Sequence, residues 1–167
     1  MTATLPQKPF VAEHPGLKQA QASDPGRSVW VAASAGTGKT KVLIDRVLRL
    51  MLPRLGMPRE SATPPGKILC LTFTKTAAAE MSNRIYERLS GWSVRNDEEL
   101  KGELRELIGA EPAAEIQEEA RRLFARVLDT PGGLKIMTIH SFCQSLLKRF
   151  PVEIGRASCR ERVYVLV

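Results

Sequence analysis

The chain has 167 residues, of which 43% are hydrophobic, and it carries a formal net charge of +7 at pH 7. This length fits one domain with an ordinary core, and the hydrophobic content excludes wholesale disorder. The basic excess favours an anionic partner, with nucleic acid first and an acidic membrane surface second, over a basic surface that is merely soluble.

The charge is unevenly distributed along the chain. Residues 96–128 contain nine acidic and five basic side chains, a net of −4, whereas the remaining residues have a net of +11. The positive excess therefore lies with the segments that contain the motifs described below, which favours a groove for a polyanion there.

The spacing of the three cysteines and the hydropathy pattern indicate the cellular compartment of the protein. Cys70, Cys143 and Cys159 share neither a metal-binding spacing nor a disulfide framework. No apolar run approaches the length of a membrane span, and the N-terminus lacks the apolar core of a signal peptide. The sequence therefore predicts a cytoplasmic protein that does not use a membrane.

The N-terminal part contains a short helical pattern. Residues 1–16 are rich in proline and are expected to form a mobile segment. Residues 17–22 form a helix candidate with Gln19 and Gln21, and turn residues follow it. A glutamine before a phosphate loop can offer its amide to N6 and N7 of adenine, although an exposed helical glutamine is the commoner explanation.

A phosphate-binding loop follows the apolar run at 29–32, which we predict to be a strand. The loop is Ala33-Ser34-Ala35-Gly36-Thr37-Gly38-Lys39-Thr40, and it opens a helix predicted over 39–52. Small residues let backbone N–H groups face a triphosphate, and the helix N-terminus adds partial positive charge. Lys39 would reach the β- and γ-phosphates of ATP, and the Thr40 hydroxyl would hold Mg²⁺. Ala33 replaces the first glycine of the general pattern; the alternative is a glycine-rich turn that contains a lysine.

The apolar run at 67–73 predicts a second, buried parallel strand. With the strand at 29–32 it would form a right-handed βαβ unit. A helix is predicted over about 75–90, so the loop at 72–76 lies at the carboxyl end of its strand, where ligands bind in open α/β sheets.

Two amphipathic helices are predicted within 97–128, and we interpret them as a helical hairpin inserted into the sheet domain. Their acidic faces are either solvated or a partner surface. A third strand at 134–139 ends at His140, and the run from Ser141 to Gln144 fits a capping box that starts the next helix. His140 lacks a partner for metal binding in the sequence.

Three blocks in order carry a family resemblance. They are the phosphate loop, the run Leu71-Thr72-Phe73-Thr74-Lys75-Thr76-Ala77-Ala78-Ala79-Glu80-Met81, and the run Thr138-Ile139-His140-Ser141-Phe142-Cys143. Together they resemble motifs I, Ia and Ib of the superfamily 1A helicases, the UvrD/Rep/RecB group. The run Ala22-Ser23-Asp24-Pro25 and the long segment between the last two blocks resemble the AddA family, the helicase–nuclease subunits of AddAB recombination complexes.

The resemblance implies an α/β fold: a P-loop NTPase (RecA-like) parallel sheet flanked by helices, with the first lobe incomplete. It implies an ATP-dependent 3′-to-5′ DNA helicase of double-strand break repair, with an AddB-like partner subunit. Gln19 would read adenine, with Gln21 as the alternative. The residues that would line the groove for single-stranded DNA are Thr72, Phe73, Thr74, Lys75, His140 and Phe142. Each phenylalanine could instead pack in a core.

The sequence also departs from the family pattern. The acidic motif that holds Mg²⁺, the second RecA-like lobe with its arginine fingers and the nuclease domain have no counterpart in it. We therefore expect a fragment, with a helicase domain over 17–154, an insertion at about 92–130 and a non-native tail over 155–167, that lacks full catalytic competence. The alternatives are another P-loop protein, such as a small-molecule kinase, and a nucleotide-dependent interaction module.

Overall fold

The computed structural model describes residues 15–32, 34 and 36–148. Within them the chain forms six helices, two strands and two short 3₁₀ turns. The helices are α1 (Pro15–Ala22), α2 (Lys39–Met51), α3 (Lys75–Val94), α4 (Asp97–Ile108), α5 (Ala114–Asp129) and α6 (Ile139–Leu147), and the strands are β1 (Leu69–Thr72) and β2 (Lys135–Thr138). Ala33, Ala35 and the predicted tail lie outside the described residues, as does the predicted mobile segment except for Pro15 and Gly16.

The two apolar runs were each predicted to be strands of a parallel sheet, and β1 and β2 form a parallel pair. The register pairs Leu69 with Lys135 at one end and Thr72 with Thr138 at the other. Parallel strands need a long crossover connection, and here α3, α4 and α5 supply it. The observed fold is therefore mixed α/β, with a small parallel sheet.

The strand predicted at 29–32 is not observed, and the predicted βαβ unit that depends on it is not formed. Residues 29–32 have no regular secondary structure, and Trp30 is 93% exposed. An apolar run becomes a strand only where a neighbouring strand receives its backbone hydrogen bonds. No described residue supplies such a ladder for this run.

The prediction that β1 is a buried strand is wrong for the described residues. Cys70 and Thr72 are half-buried, whereas Leu69 and Leu71, which point to the other face, are exposed. α3 and α6 both pack against the sheet. The described helices therefore cover only one face of β1.

The chain divides into two compact units, Met1–Ala62 with Arg95–Glu119, and Thr63–Val94 with Ala120–Val167. In the first unit, α1 and α4 pack on α2. Apolar side chains of α2 and α4 recur at helical spacing and form its core: Val42, Ile44, Val47, Leu48, Met51, Leu100, Leu104 and Leu107.

In the second unit, α3 packs against both strands. Its buried residues follow the spacing of three or four that gives a helix one apolar face: Ala78, Met81, Ile85, Leu89 and Trp92. The part of α5 in this unit adds Ala120, Leu123 and Val127. None of the helices in the described part of the chain is both long and apolar enough to cross a bilayer.

Candidate nucleotide and nucleic-acid sites

The phosphate loop leads directly into α2. Gly36 has a φ of +80° and Gly38 a φ of +84°, a left-handed conformation that favours glycine. Gly38 is the N-cap of α2 and offers no side-chain acceptor to the first N–H groups of the helix. These N–H groups therefore lie at a helix N-terminus that suits an anion.

Two polar side chains of the loop share one carbonyl acceptor. The Thr37 hydroxyl donates to the Ser34 carbonyl oxygen at 2.7 Å, and the Lys39 Nζ donates to the same oxygen at 2.5 Å. Lys39 and Thr40 are both exposed in the first turn of α2. The ammonium and the Thr40 hydroxyl are therefore accessible to a ligand at the loop.

Gln19 of α1 lies against the phosphate loop. Its Nε2 donates to the Thr37 carbonyl oxygen at 3.4 Å. A Cβ added to Gly38 would lie 3.1 Å from the same Nε2. Gln21, the alternative in the sequence, is exposed on the same helix. Of the two glutamines, Gln19 is the one that the structure places beside the phosphate loop.

An open groove of about 490 Å³ lies beside Lys39. It is lined mainly by aliphatic side chains, including Val29, Val31, Val42 and Leu43. Its polar lining consists of Ser28, Lys39 and Arg46, and the Arg46 guanidinium already donates to the Asp24 and Arg27 carbonyl oxygens. The loop, which adds the first N–H groups of α2 to Lys39, is therefore the candidate site for phosphates.

The second unit brings the predicted DNA-binding residues to one sheet edge. Thr72 and Thr138 are register partners at the carboxyl ends of β1 and β2. The segment from Phe73 to Lys75 follows β1, and His140 and Phe142 lie in the first turn of α6, directly after β2. Two sequence blocks whose register partners, Thr72 and Thr138, are 66 residues apart therefore meet at one edge.

Threonine side chains cap both helices at this edge. The Thr74 Oγ1 accepts from the Ala77 N–H at 3.1 Å at the start of α3. The Thr138 Oγ1 accepts from the Ser141 N–H at 3.2 Å at the start of α6. The predicted capping box at Ser141 is therefore wrong by one turn. Thr138 is the cap because α6 begins immediately at the end of β2.

The exposure of these side chains differs. Phe73 is 87% exposed, and Thr74, Lys75 and His140 are exposed as well. Phe142 and Thr72 are half-buried, and the Thr72 hydroxyl donates to the Thr74 carbonyl oxygen at 3.0 Å. Phe73 is therefore the more accessible of the two aromatic faces.

Sequence reasoning missed a cluster of arginine contacts on α2. Arg46 and Arg49 donate to carbonyl oxygens at and after the end of α1. Burial lowers the pKa of Arg49, while Asp24 and Asp45 act in the opposite direction. The signal available in the sequence was two arginines one turn apart on the helix that follows a phosphate loop.

Within the described ranges, no three His, Cys, Asp or Glu side chains group in a way that could hold a metal ion.

Comparison with known proteins gives concordant matches. Residues 14–165 match the model of the UvrD/REP helicase N-terminal domain. The chain is 36% identical over 128 residues to the AddA protein of Lactobacillus gasseri, an ATP-dependent helicase/nuclease subunit, and this match covers 77% of this chain and 8% of that relative. For the protein of the same name from Latilactobacillus sakei, the identity is 31% over 140 residues, covering 83% of this chain and 13% of the relative.

The Bacillus cytotoxicus protein of that name is 30% identical over 125 residues, covering 75% of this chain and 8% of the relative. The chain thus spans only a small part of the length of these relatives. No solved structure matches it.

Proposed function

Because the chain belongs to the UvrD/REP helicase N-terminal domain family, we propose that it binds ATP and single-stranded DNA as part of an AddA-like DNA helicase. The parallel register of β1 and β2 carries this proposal, because it joins the two predicted DNA-binding blocks at one edge. A coincidental motif match would not require these blocks to be neighbours in space.

The finer architecture is part of the same proposal. Residues 17–154 would be the ATP-binding domain, a RecA-like parallel sheet with a helical insertion at about 92–130. The part of this sheet that supports the proposal is the parallel pair of β1 and β2.

At the phosphate loop, Lys39 would leave the Ser34 carbonyl and bind the β- and γ-phosphates of ATP. The Thr40 hydroxyl would hold Mg²⁺, which neutralises phosphate charge. The glycine N-cap supports this assignment, because the first N–H groups of α2 face an anion without a competing side-chain cap. Gln19 would present both an amide donor and an acceptor to adenine.

At the sheet edge, Phe73 would stack on a base. Lys75 and Thr74, which are both exposed at the start of α3, would contact phosphates. His140 and Phe142 would extend the same surface. Stacking and phosphate contacts are tolerant of sequence, which suits an enzyme that moves along DNA.

The activity of the whole enzyme is inferred from the resemblance. It would be an ATP-driven, 3′-to-5′ helicase that works in double-strand break repair with an AddB-like partner. We expect this chain by itself to bind ATP and to turn it over slowly at most. Phosphoryl transfer also needs groups that position water and stabilise the transition state, and the sequence has no counterpart of the family motifs that supply them.

The test measures two affinities on the same preparation, one for MgATP and one for a fluorescent single-stranded oligonucleotide. Lys39→Ala should lower MgATP affinity by about tenfold or more, because a charge-assisted phosphate contact is lost. Phe73→Ala should lower oligonucleotide affinity by about tenfold, because a base loses its stacking partner.

Matched controls remove similar groups elsewhere. Lys101→Ala removes a lysine that pairs with Glu111, and Val94→Ala truncates an apolar side chain that is 82% exposed. Neither control should change either affinity. Unchanged MgATP binding in Lys39→Ala would refute the nucleotide assignment, and unchanged DNA binding in Phe73→Ala would refute the edge as the DNA surface.

A further inference from the structure

α1 needs support from outside itself. It has only eight residues, and a helix of this length is unstable in water on its own. Its last carbonyl oxygens also lack donor partners within the helix. Because Gln19 lies in this helix, the position of the Gln19 amide depends on whatever holds α1.

Arg49 of α2 binds the last turn of α1. Its Nη1 donates to the Ala20 carbonyl oxygen at 3.0 Å and to the Ser23 Oγ at 2.8 Å. Ser23 is only 3% exposed, and its N–H donates to the Gln19 carbonyl oxygen at 3.0 Å. Arg49 is thus linked to the backbone of Gln19 through one buried serine.

Arg46 binds the segment immediately after α1. Its Nη1 donates to the Asp24 carbonyl oxygen at 2.6 Å and to the Ala22 carbonyl oxygen at 3.3 Å, and its Nη2 donates to the Arg27 carbonyl oxygen at 2.5 Å. A positive charge at the C-terminus of a helix is also favoured by the helix dipole. The planar guanidinium therefore fixes the point at which the chain leaves α1.

Both arginines are on the helix that begins with Lys39 and Thr40. One rigid element thus carries the phosphate-binding groups at its start and the anchors of α1 about two to three turns later. The distance between Gln19 and the loop is consequently set through α2. The 3.4 Å contact from Gln19 to the Thr37 carbonyl is the result.

We infer that Arg46 and Arg49 are positioning residues that hold Gln19 beside the phosphate loop and thereby set the preference for adenine over other bases. This rests on the proposed function, because it requires the loop to bind a nucleoside triphosphate. The contacts of both arginines go to backbone carbonyl oxygens and to Ser23. Their effect is confined to the base, since the phosphates are bound by the loop and α2 itself.

The experiment measures the affinities of the 167-residue chain for MgATP, MgGTP and inorganic tripolyphosphate with Mg²⁺. Arg46→Ala should lower MgATP affinity by about fivefold, bring the ATP and GTP affinities close together and leave tripolyphosphate affinity unchanged. Gln19→Ala should have the same effect. The double variant should lose little more than either single variant, because both act through one contact.

Conservative variants distinguish an effect on the position of Gln19 from a general loss of folded structure. A single nitrogen of Arg49 makes both of its contacts, so Arg49→Lys should keep the ATP preference. Arg46 donates from two nitrogens to three carbonyl oxygens, so Arg46→Lys should retain only part of the preference for ATP over GTP. Ser23→Ala keeps both arginines, removes one acceptor of Arg49 and should weaken the preference. Arg105→Ala, which removes an exposed arginine of α4, is the charge-matched control.

The outcomes are distinguishable. An unchanged ratio of ATP to GTP affinity in Arg46→Ala and Ser23→Ala would overturn the inference while leaving the proposed function intact. An equal loss of tripolyphosphate binding would also overturn it, because the arginines would then support the whole site. A parent chain that binds neither nucleotide nor tripolyphosphate would overturn the proposed function and, with it, the inference.

Discussion

Gly38 has two separate reasons to be glycine. Its φ of +84° disfavours any residue with a Cβ, and a Cβ would also lie 3.1 Å from the Gln19 amide. Gly36 shares the first reason only, because nothing lies within 4 Å of the position that its Cβ would take. Comparing alanine substitutions at the two glycines therefore separates the effect of backbone strain from the effect of contact with Gln19.

Gly38→Ala should lower the ratio of ATP to GTP affinity, because the added methyl group displaces the Gln19 amide. Gly36→Ala should leave that ratio unchanged, although both variants carry about 1–2 kcal/mol of strain from the positive φ. Competition binding with the two nucleotides measures the ratio. If both variants shifted it equally, the contact between Gln19 and Gly38 would have no part in base selection.

For individual residues, the sequence predicted which side chains carry the chemistry of the nucleotide site better than it predicted the contacts between them. The loop pattern identified Lys39 and Thr40 because glycine, lysine and threonine have fixed roles there. The loop pattern alone does not choose between Gln19 and Gln21, because that choice depends on the rotation of α1 about its axis; the family resemblance favoured Gln19. The sequence also could not show the arginine contacts, since carbonyl acceptors carry no sequence signal.

Helices were predicted more accurately than strands. The bounds of α2 differ from the prediction by one residue, because apolar spacing and Pro53 mark its extent. The run at 29–32 is as apolar as β1 but has no ladder among the described residues. Periodicity reports which face of an element is apolar, whereas strand formation requires a partner that can be distant in the chain.

The cap of α6 provides a test at the scale of the element. Thr138→Ala should lower the free energy of unfolding by about 1 kcal/mol, because its hydroxyl accepts from the Ser141 N–H and is nearly buried. Thr138→Ser keeps the hydroxyl and should restore most of the loss. Urea denaturation followed by circular dichroism measures both. If Ser141→Ala lowered the free energy of unfolding more than Thr138→Ala does, Ser141 rather than Thr138 would be the cap of α6.

The distribution of charge is a property of the whole molecule. The acidic surplus is concentrated at 96–128. This segment includes the first turn of α4, where the helix dipole favours acidic side chains. The net of +11 elsewhere belongs to both compact units. The sequence established this asymmetry, but it could not predict the division into two units, which depends on long-range packing.

Oligonucleotide binding should weaken as salt increases. Contacts with three phosphates of a single strand would give a slope of about −2 for the logarithm of affinity against the logarithm of salt concentration. Lys75→Ala should make this slope shallower by about 0.7, equally for different base sequences, whereas Lys101→Ala should not. Titrations at several salt concentrations measure it. A slope near zero would exclude the basic surface as a phosphate-binding groove.

The register between Thr72 and Thr138 has a consequence for how the sequences of related proteins diverge. Backbone hydrogen bonds of the sheet, rather than the contacting side chains, fix the spacing between the two motif ends. Side chains at Phe73 or His140 can therefore be exchanged during evolution without moving the frame that presents them. Distant relatives of this chain should keep two in-register strands with hydroxyl-capped helices even where the aromatic and basic residues have drifted beyond recognition.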